Sequence, residues 1–362
     1  MRKAILCTLL ALATGAPAQT STSKYKPGVT PEGAVYYLPK TAVRIAVRVE
    51  KTVYTPGDFC AYAHKYLKLD NVSQQPSASY RVVGLDLSPI ALADTSKCYA
   101  VKFNPKSTAS NIVLADNGTL LAVNAAPVAT RQPATFAPAP KRKAVSPRTV
   151  MSEEILSAGS TAKMAELTAQ EIYDIRDSRN QLTRGQADFM PKDGEQLKIM
   201  LSQLSQQDEA LTSMFKGTLT RDTTEHLMTY CPKRGTAKEV LFRLSGRLGL
   251  VDRDDLSGAP YYICVDDEHT VPTPNEAPTG RKGRRADSRK SGENGLYVNV
   301  PGKIKVSVLK GTTPVKSLSL YAGQFGTTEL LSGELFGRKH TVHLTLDPIT
   351  GAVNKLDAEL PE

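Results

Sequence analysis

Asp266, Asp267, Glu268 and His269 stand in a row after an apolar run, offering three carboxylates and an imidazole. These are donors of the kind that hold a divalent cation or relay protons. Four adjacent residues rarely converge on one point, however, and no second cluster stands by to complete a coordination sphere. An acidic turn is the plainer reading; an enzyme of unrecognised type using 266–269 is the alternative. The other histidines are His64, His226, His340 and His343. His340 and His343 flank an alternating run at odd separation, so they point to opposite faces of a strand and cannot chelate one ion. The motifs G-x-S-x-G, H-E-x-x-H, G-x-x-x-x-G-K-[ST], C-x-x-C and G-x-G-x-x-G are all missing, which removes the common hydrolase, zincin, nucleotide and redox signatures. No catalytic residue, cofactor or metal is assigned.

A second dense set of charges lies in EIYDIRDSRNQLTRGQADFMPKDGEQLKIMLSQL, residues 171–204. Glu171, Asp174, Arg176, Asp177 and Arg179 are expected to form i,i+3 and i,i+4 ion pairs along one helix, each contributing only about 0.2–0.5 kcal/mol. That spacing describes a solvated or docking face. A third set, Arg281, Lys282, Arg284, Arg285, Arg289 and Lys290, falls in the polar Gly/Pro-rich loop 271–295, expected to be disordered. It could contact anionic lipid or another polyanion. Nucleic acid is not expected, because no aromatic residues interleave the charges as stacking platforms. Lys141, Arg142 and Lys143 form a shorter basic triplet, read as solvated. Tryptophan is absent, but fourteen tyrosines remain, and Tyr36, Tyr37, Tyr261 and Tyr262 are the candidates for stacking on a glycan.

The ends and composition decide where such groups would work. MRKAILCTLLALATGAPAQT has a basic start, a short apolar run and the small-x-small pattern Ala16-Pro17-Ala18, so residues 1–18 are expected to be a cleavable export signal. The run falls short of the roughly 20 residues that span a bilayer, and no later stretch is apolar enough to cross one. The formal charge of +10 sits largely in the two basic tracts rather than on one folded face. Cys60, Cys98, Cys231 and Cys264 remain after the signal. An oxidising compartment would allow Cys60–Cys98 and Cys231–Cys264 bridges, and the alternative is four buried thiols.

The elements expected to position these residues give an α+β chain. Residues 32–125 look like a small β-rich domain with one short helix. In it Val43, Ile45, Val47 and Val49 alternate with polar or small residues, Pro56-Gly57 makes a turn, and Asp58 is the expected cap of the helix. NIVLADNGTLLAVN is a hairpin with Asn117-Gly118 at its turn, both expected at positive φ. Residues 126–149 carry five prolines and no acid, an extended linker. Residues 150–217 form an antiparallel helical hairpin, with Gly185 and Pro191 at the joint and a capping box from Asp193 and Gln196. Residues 218–362 hold short strands at near-regular spacing, expected as a β-sandwich-like region interrupted by the 271–295 loop.

Several stretches also resemble one family. YYLPKT with VEKTVYTPGDFCAYAHKYL, YAVKFNPKSTAS with ADNGTLLAVN, the 171–201 segment, GQFGTTELLSGELF and LDPITGAV are similar to a Bacteroidota cell-envelope family known as a domain of unknown function. The resemblance covers nearly all of the mature chain and implies an exported envelope protein. It carries no catalytic residue, substrate or cofactor. The expectation is a non-enzymatic adaptor or accessory subunit at the periplasm or outer membrane, with an envelope protein as partner through the hairpin. A glycan- or peptidoglycan-binding module is the alternative.

Overall fold

The computed structural model describes residues 21–25, 34–102, 111–130, 133–140, 145–188, 190–191, 193–235, 238–272, 293–336 and 341–359. The basic tract 281–290, the triplet at 141–143, the first 20 residues and His340 lie outside them. The strands are β1 (Ser21–Lys24), β2 (Ala34–Thr55), β3 (Ser77–Lys102), β4 (Ile112–Leu114), β5 (Leu120–Val123), β6 (Thr218–Tyr230), β7 (Glu239–Ser245), β8 (Gly249–Val251), β9 (Ala259–Asp267), β10 (Glu293–Lys310), β11 (Thr313–Ser332), β12 (Thr341–Leu346) and β13 (Val353–Glu359). The helices are α1 (Ala63–Leu67), α2 (Glu153–Leu156), α3 (Thr161–Arg184) and α4 (Gly194–Lys216). The chain is mostly β, as its alternating patterns imply.

Four long strands organise everything else. β2 pairs antiparallel with β3 on one side and with β6 on the other. β10 and β11 form a second long hairpin, turned at Gly311, whose φ of +65° few other residues adopt easily. β9, β7 and β8 extend the sheet beyond β10, and β1 pairs with both β3 and β10, joining the two halves at one edge. A separate small sheet runs β13-β12-β5-β4.

Two cores are strung along these strands. The first packs Val43, Ile45, Val47 and Val49 of β2 and Leu85 of β3 against Leu241, Phe242, Ile263, Ile304, Val306 and Phe325. The second packs the other ends of the same strands, through Tyr36, Leu38, Tyr99, Leu296 and Val298, onto Leu120, Val123, Phe336, Leu344 and Leu346. The stretches 32–125 and 218–362, expected as separate β domains, therefore share both cores. β2 pairs with β6 residue for residue, and the 112–123 hairpin joins β12 through Leu344↔Val123. Alternation shows which face of a strand is buried, but not which strand buries it.

The helices make the third core. Phe59, Ala63 and Leu67 pack on Ala165, Ala169, Ile172, Ile175, Leu211, Met214 and Phe215. This body sits where β2 ends and β6 begins, so it caps one end of the long strands, with the small sheet at the other. The linker joins those two ends. β2 from Tyr37 to Thr55 covers about 60 Å at ~3.3 Å per residue, and the twenty-four residues of the linker reach about 74 Å when extended. A proline-rich, extended composition suits that run along the molecule. Its described residues up to Ser146 carry no helix or strand and are mostly exposed.

Local details differ from expectation in three places. Asp58 does not cap the first helix; Cys60–Tyr62 form a 3-10 turn leading into α1, with no side-chain cap bond at either start. At the Asn117-Gly118 turn only Gly118 has positive φ, +76°, because Asn117 instead accepts bonds from the Thr119 amide and hydroxyl. Asp193 does cap α4, accepting from the Glu195 amide, but no return bond from Gln196 occurs among the described residues.

Cys60, Cys98, Cys231 and Cys264, the cysteines among the described residues, are free thiols. Cys98 is the strand partner of Tyr37, whereas Cys60 lies beyond Thr55 at the far end of β2. The separation of about 60 Å compares with a Cα distance of roughly 4.4–6.8 Å in a disulfide. A Cys60–Cys98 bridge, allowed by the sequence, is thus excluded by the length of one strand, and Cys231 and Cys264 are likewise unpaired with each other. For the chain lacking residues 1–18, thiol titration in denaturant without reductant should read about four equivalents, and reductant should leave the melting temperature unchanged. A reading near two equivalents would contradict this.

Candidate functional site

The cluster at 266–269 does not converge. Asp266 and Asp267 end β9 as successive strand residues, so they leave opposite faces. Asp267 accepts from the His269 amide at 2.8 Å, with His269 at φ +49°. Glu268 instead pairs with Lys303 at 2.8 Å, and the Lys303 amide donates to the Thr270 hydroxyl. The carboxylates tie off the strand end, and the imidazole, 75% exposed, faces solvent. Among the described residues no group of three potential metal ligands forms.

The tyrosines expected as stacking platforms divide. Tyr36 is fully buried, accepts from the Tyr297 amide at 3.0 Å, and is pushed far above the ordinary tyrosine pKa, by burial first and Tyr99 second. Tyr261 is buried and stacks on Phe242 at 4.5 Å. Neither offers a free ring face. Tyr262 is half-buried with Lys238 over its ring at 4.0 Å, and Tyr37 is half-buried against Gly118.

What the fold does bring together is a buried polar waist between the two β cores, which sequence reasoning missed. Asn299 of β10 is 1% exposed, and its amide donates to the Pro39 and Thr350 carbonyls, both at 2.8 Å. Its side-chain oxygen accepts from Lys97 at 3.1 Å. Burial, the largest cause, holds Lys97 below the usual lysine pKa, with Arg234 adding to the drop and Asp94 opposing it. Thr41 donates to the Ile349 carbonyl, while Gln324 accepts from the Thr41 amide at 2.9 Å and returns a bond to its carbonyl at 2.7 Å. The glycines of Gly-Gln-Phe-Gly make the close approach feasible. A Cβ on Gly323 would lie 2.6 Å from the Asn299 amide nitrogen, and one on Gly326 would lie 1.7 Å from the Val300 carbonyl. YYLPKT, GQFG and LDPITG, far apart in the chain, meet here. The readable signal is a Gly-x-x-Gly inside a strand facing Pro301-Gly302 in its partner. The polar side chains of this waist bond one another and the backbone, so it locks the two cores together.

The charged run at 171–204 does form a helical hairpin, but its arginines do not pair along α3. Arg176 crosses to α4, holding Asp208 through Nε at 3.1 Å and Nη2 at 3.0 Å and reaching Thr212 at 3.2 Å. Arg179 approaches the same carboxylate at 3.8 Å. Asp174 and Asp177 accept from Gln170 and Gln181. On the exposed faces the ion pairs are local, Lys163 with Glu166 at 3.1 Å on α3 and Lys198 with Glu195 at 4.0 Å on α4.

Those faces are the main candidate surface. All four buried residues of α4, Ala210, Leu211, Met214 and Phe215, lie in its C-terminal half. In the N-terminal half Leu197, Met200, Leu201 and Leu204 are only half-buried and Ile199 is 56% exposed. Met190 and Tyr173 are also exposed, the latter donating from its hydroxyl to the Tyr66 carbonyl. At the base of the helical body a cleft of ≈ 580 Å³ is lined by Tyr54, Leu69, Val72, Lys216 and Leu219. No helix of the described residues is long and apolar enough to cross a membrane.

A family model described as a domain of unknown function (DUF4831) matches residues 32–354. No curated protein and no solved structure matches the chain.

Proposed function

The chain belongs to the DUF4831 family, and from that premise we propose that it is a non-enzymatic adaptor or accessory subunit of an envelope complex. It docks a protein partner through the outer half of the helical hairpin. The observation that carries this reading is the thin core of that half, where α4 leaves Ile199 exposed among half-buried leucines and methionine. Apolar side chains held this way on a clamped helix gain by being covered, and helix faces with such anchors are a common mode of recognition. The dispersal of the carboxylates at 266–269 and the closed bonding at the waist both agree with a scaffold. The envelope setting rests on the export-signal pattern of residues 1–18 and on the family resemblance.

The test is an affinity pull-down of the tagged protein from detergent-solubilised envelopes, run beside Ile199→Glu. The wild type should retain one protein at fixed stoichiometry through high salt, because apolar burial is little screened. Ile199→Glu should lose at least tenfold of it while keeping its helical circular dichroism. Equal recovery by both would refute docking on this face.

A further inference from the structure

β6 is a strand of thirteen residues with β2 on one side and, among the described residues, no strand on the other. It lies in unbroken register with β2, from Val43↔Tyr230 to Thr55↔Thr218. Long free edges usually carry lysine, proline or a bulge that blocks pairing with another chain. β11, another long edge, has Pro314, Lys316 and the bulge at Gly323–Gly326. TLTRDTTEHLMTY has no lysine, proline or bulge; its charges are Arg221, Asp222 and Glu225, and it exposes Leu219 (61%) and Leu227 (56%).

We propose that β6 is a self-association edge, on which a second copy of this chain pairs antiparallel about Thr223. Val43, Ile45, Val47 and Val49 face the core and lie opposite Tyr230, Met228, His226 and Thr224. Leu219, Arg221, Thr223, Glu225 and Leu227 therefore share the outer face. A two-fold axis normal to the sheet preserves faces, so only registers pairing residues of like parity are open. Centred on Thr223, the register sets Leu219 against Leu227 of the second copy and Arg221 against its Glu225, each pair occurring twice. Centring on Arg221, Asp222 or Glu225 sets a charge against its own kind; centring on Thr224 sets Arg221 against Leu227. Only one register joins unlike charges and both leucines. Among the described residues neither Arg221 nor Glu225 has an ion-pair partner in its own chain, since Arg48, the strand partner of Glu225, bonds Asp86 instead.

Sedimentation of the mature protein over a range of concentrations should show a reversible dimer. Arg221→Glu and Glu225→Arg, each placing two like-charge pairs in the interface, should each weaken it about tenfold or more. The double exchange Arg221→Glu with Glu225→Arg should restore it. Thr223→Cys should form an intermolecular disulfide under mild oxidation, because directly opposed residues lie about 4.5–5.5 Å apart between Cα atoms. Thr220→Cys, displaced about 20 Å from its symmetry mate, should not exceed the background of the native thiols. A monomer throughout, a double exchange no better than either single one, or equal cross-linking at 220 and 223 would overturn the proposal. None of these outcomes depends on the hairpin partner.

Discussion

Asn299→Leu is expected to destabilise the fold by about 3–5 kcal/mol, seen as a lower urea midpoint at unchanged slope. Leucine preserves the volume but not the bonds, so the Pro39 and Thr350 carbonyls each lose a donor and Lys97 loses its acceptor. Each buried polar group stranded in this way costs about 1–3 kcal/mol, and the partly buried ammonium adds to the total. Because β10 runs through both cores, the loss should appear as one cooperative transition rather than as unfolding of one end. A change below about 1 kcal/mol would mean that the waist is not the lock inferred here.

Gly326→Ala should be at least as damaging, with an expected cost of about 3 kcal/mol or more. Its Cβ would sit 1.7 Å from the Val300 carbonyl oxygen and 2.7 Å from its carbon. Backbone atoms cannot rotate away as a side-chain tip can, so relief requires opening the β10–β11 pairing at its bulge. Overpacking relieved by side chains costs about 1–3 kcal/mol, and a rigid clash exceeds it. Gly185→Ala is the contrast: φ is +70° there but nothing lies within 4 Å of the added Cβ, so a cost of only about 1 kcal/mol is expected. Thermal unfolding of the two variants should separate them clearly.

The elements that the sequence shows plainly are those built from near neighbours. Asp347 accepts from the Ile349 and Thr350 amides, Gly351 takes φ +73°, and the turn lies where Asp-Pro-Ile-Thr-Gly places it. Ser160, Gly185 and Asp193 bound the two long helices for equally local reasons: two caps and a left-handed stop. The long strands were less readable. Pro301-Gly302 looks like a strand end, yet β10 passes through it, because the bulge opposite removes the need for an amide donor there. SYRVVGLDLS and KCYAVKFNP look like two strands, and Ser77–Lys102 is one. The waist left almost no local trace, since Asn299 bonds Pro39 across 260 positions and Thr350 across 51. Arg176 follows the same logic: helix spacing identifies its neighbours along α3, but its acceptor, Asp208, is on α4.

The most direct test of the adaptor reading is site-specific photocross-linking in intact envelopes. The cross-linking residue is placed at Ile199 on the hairpin or at Leu356 on β13, both exposed and in bodies at opposite ends of the long strands. The account predicts a single discrete adduct to one envelope protein from position 199 and none from position 356. No adduct at 199, or the same adducts from both positions, would contradict it.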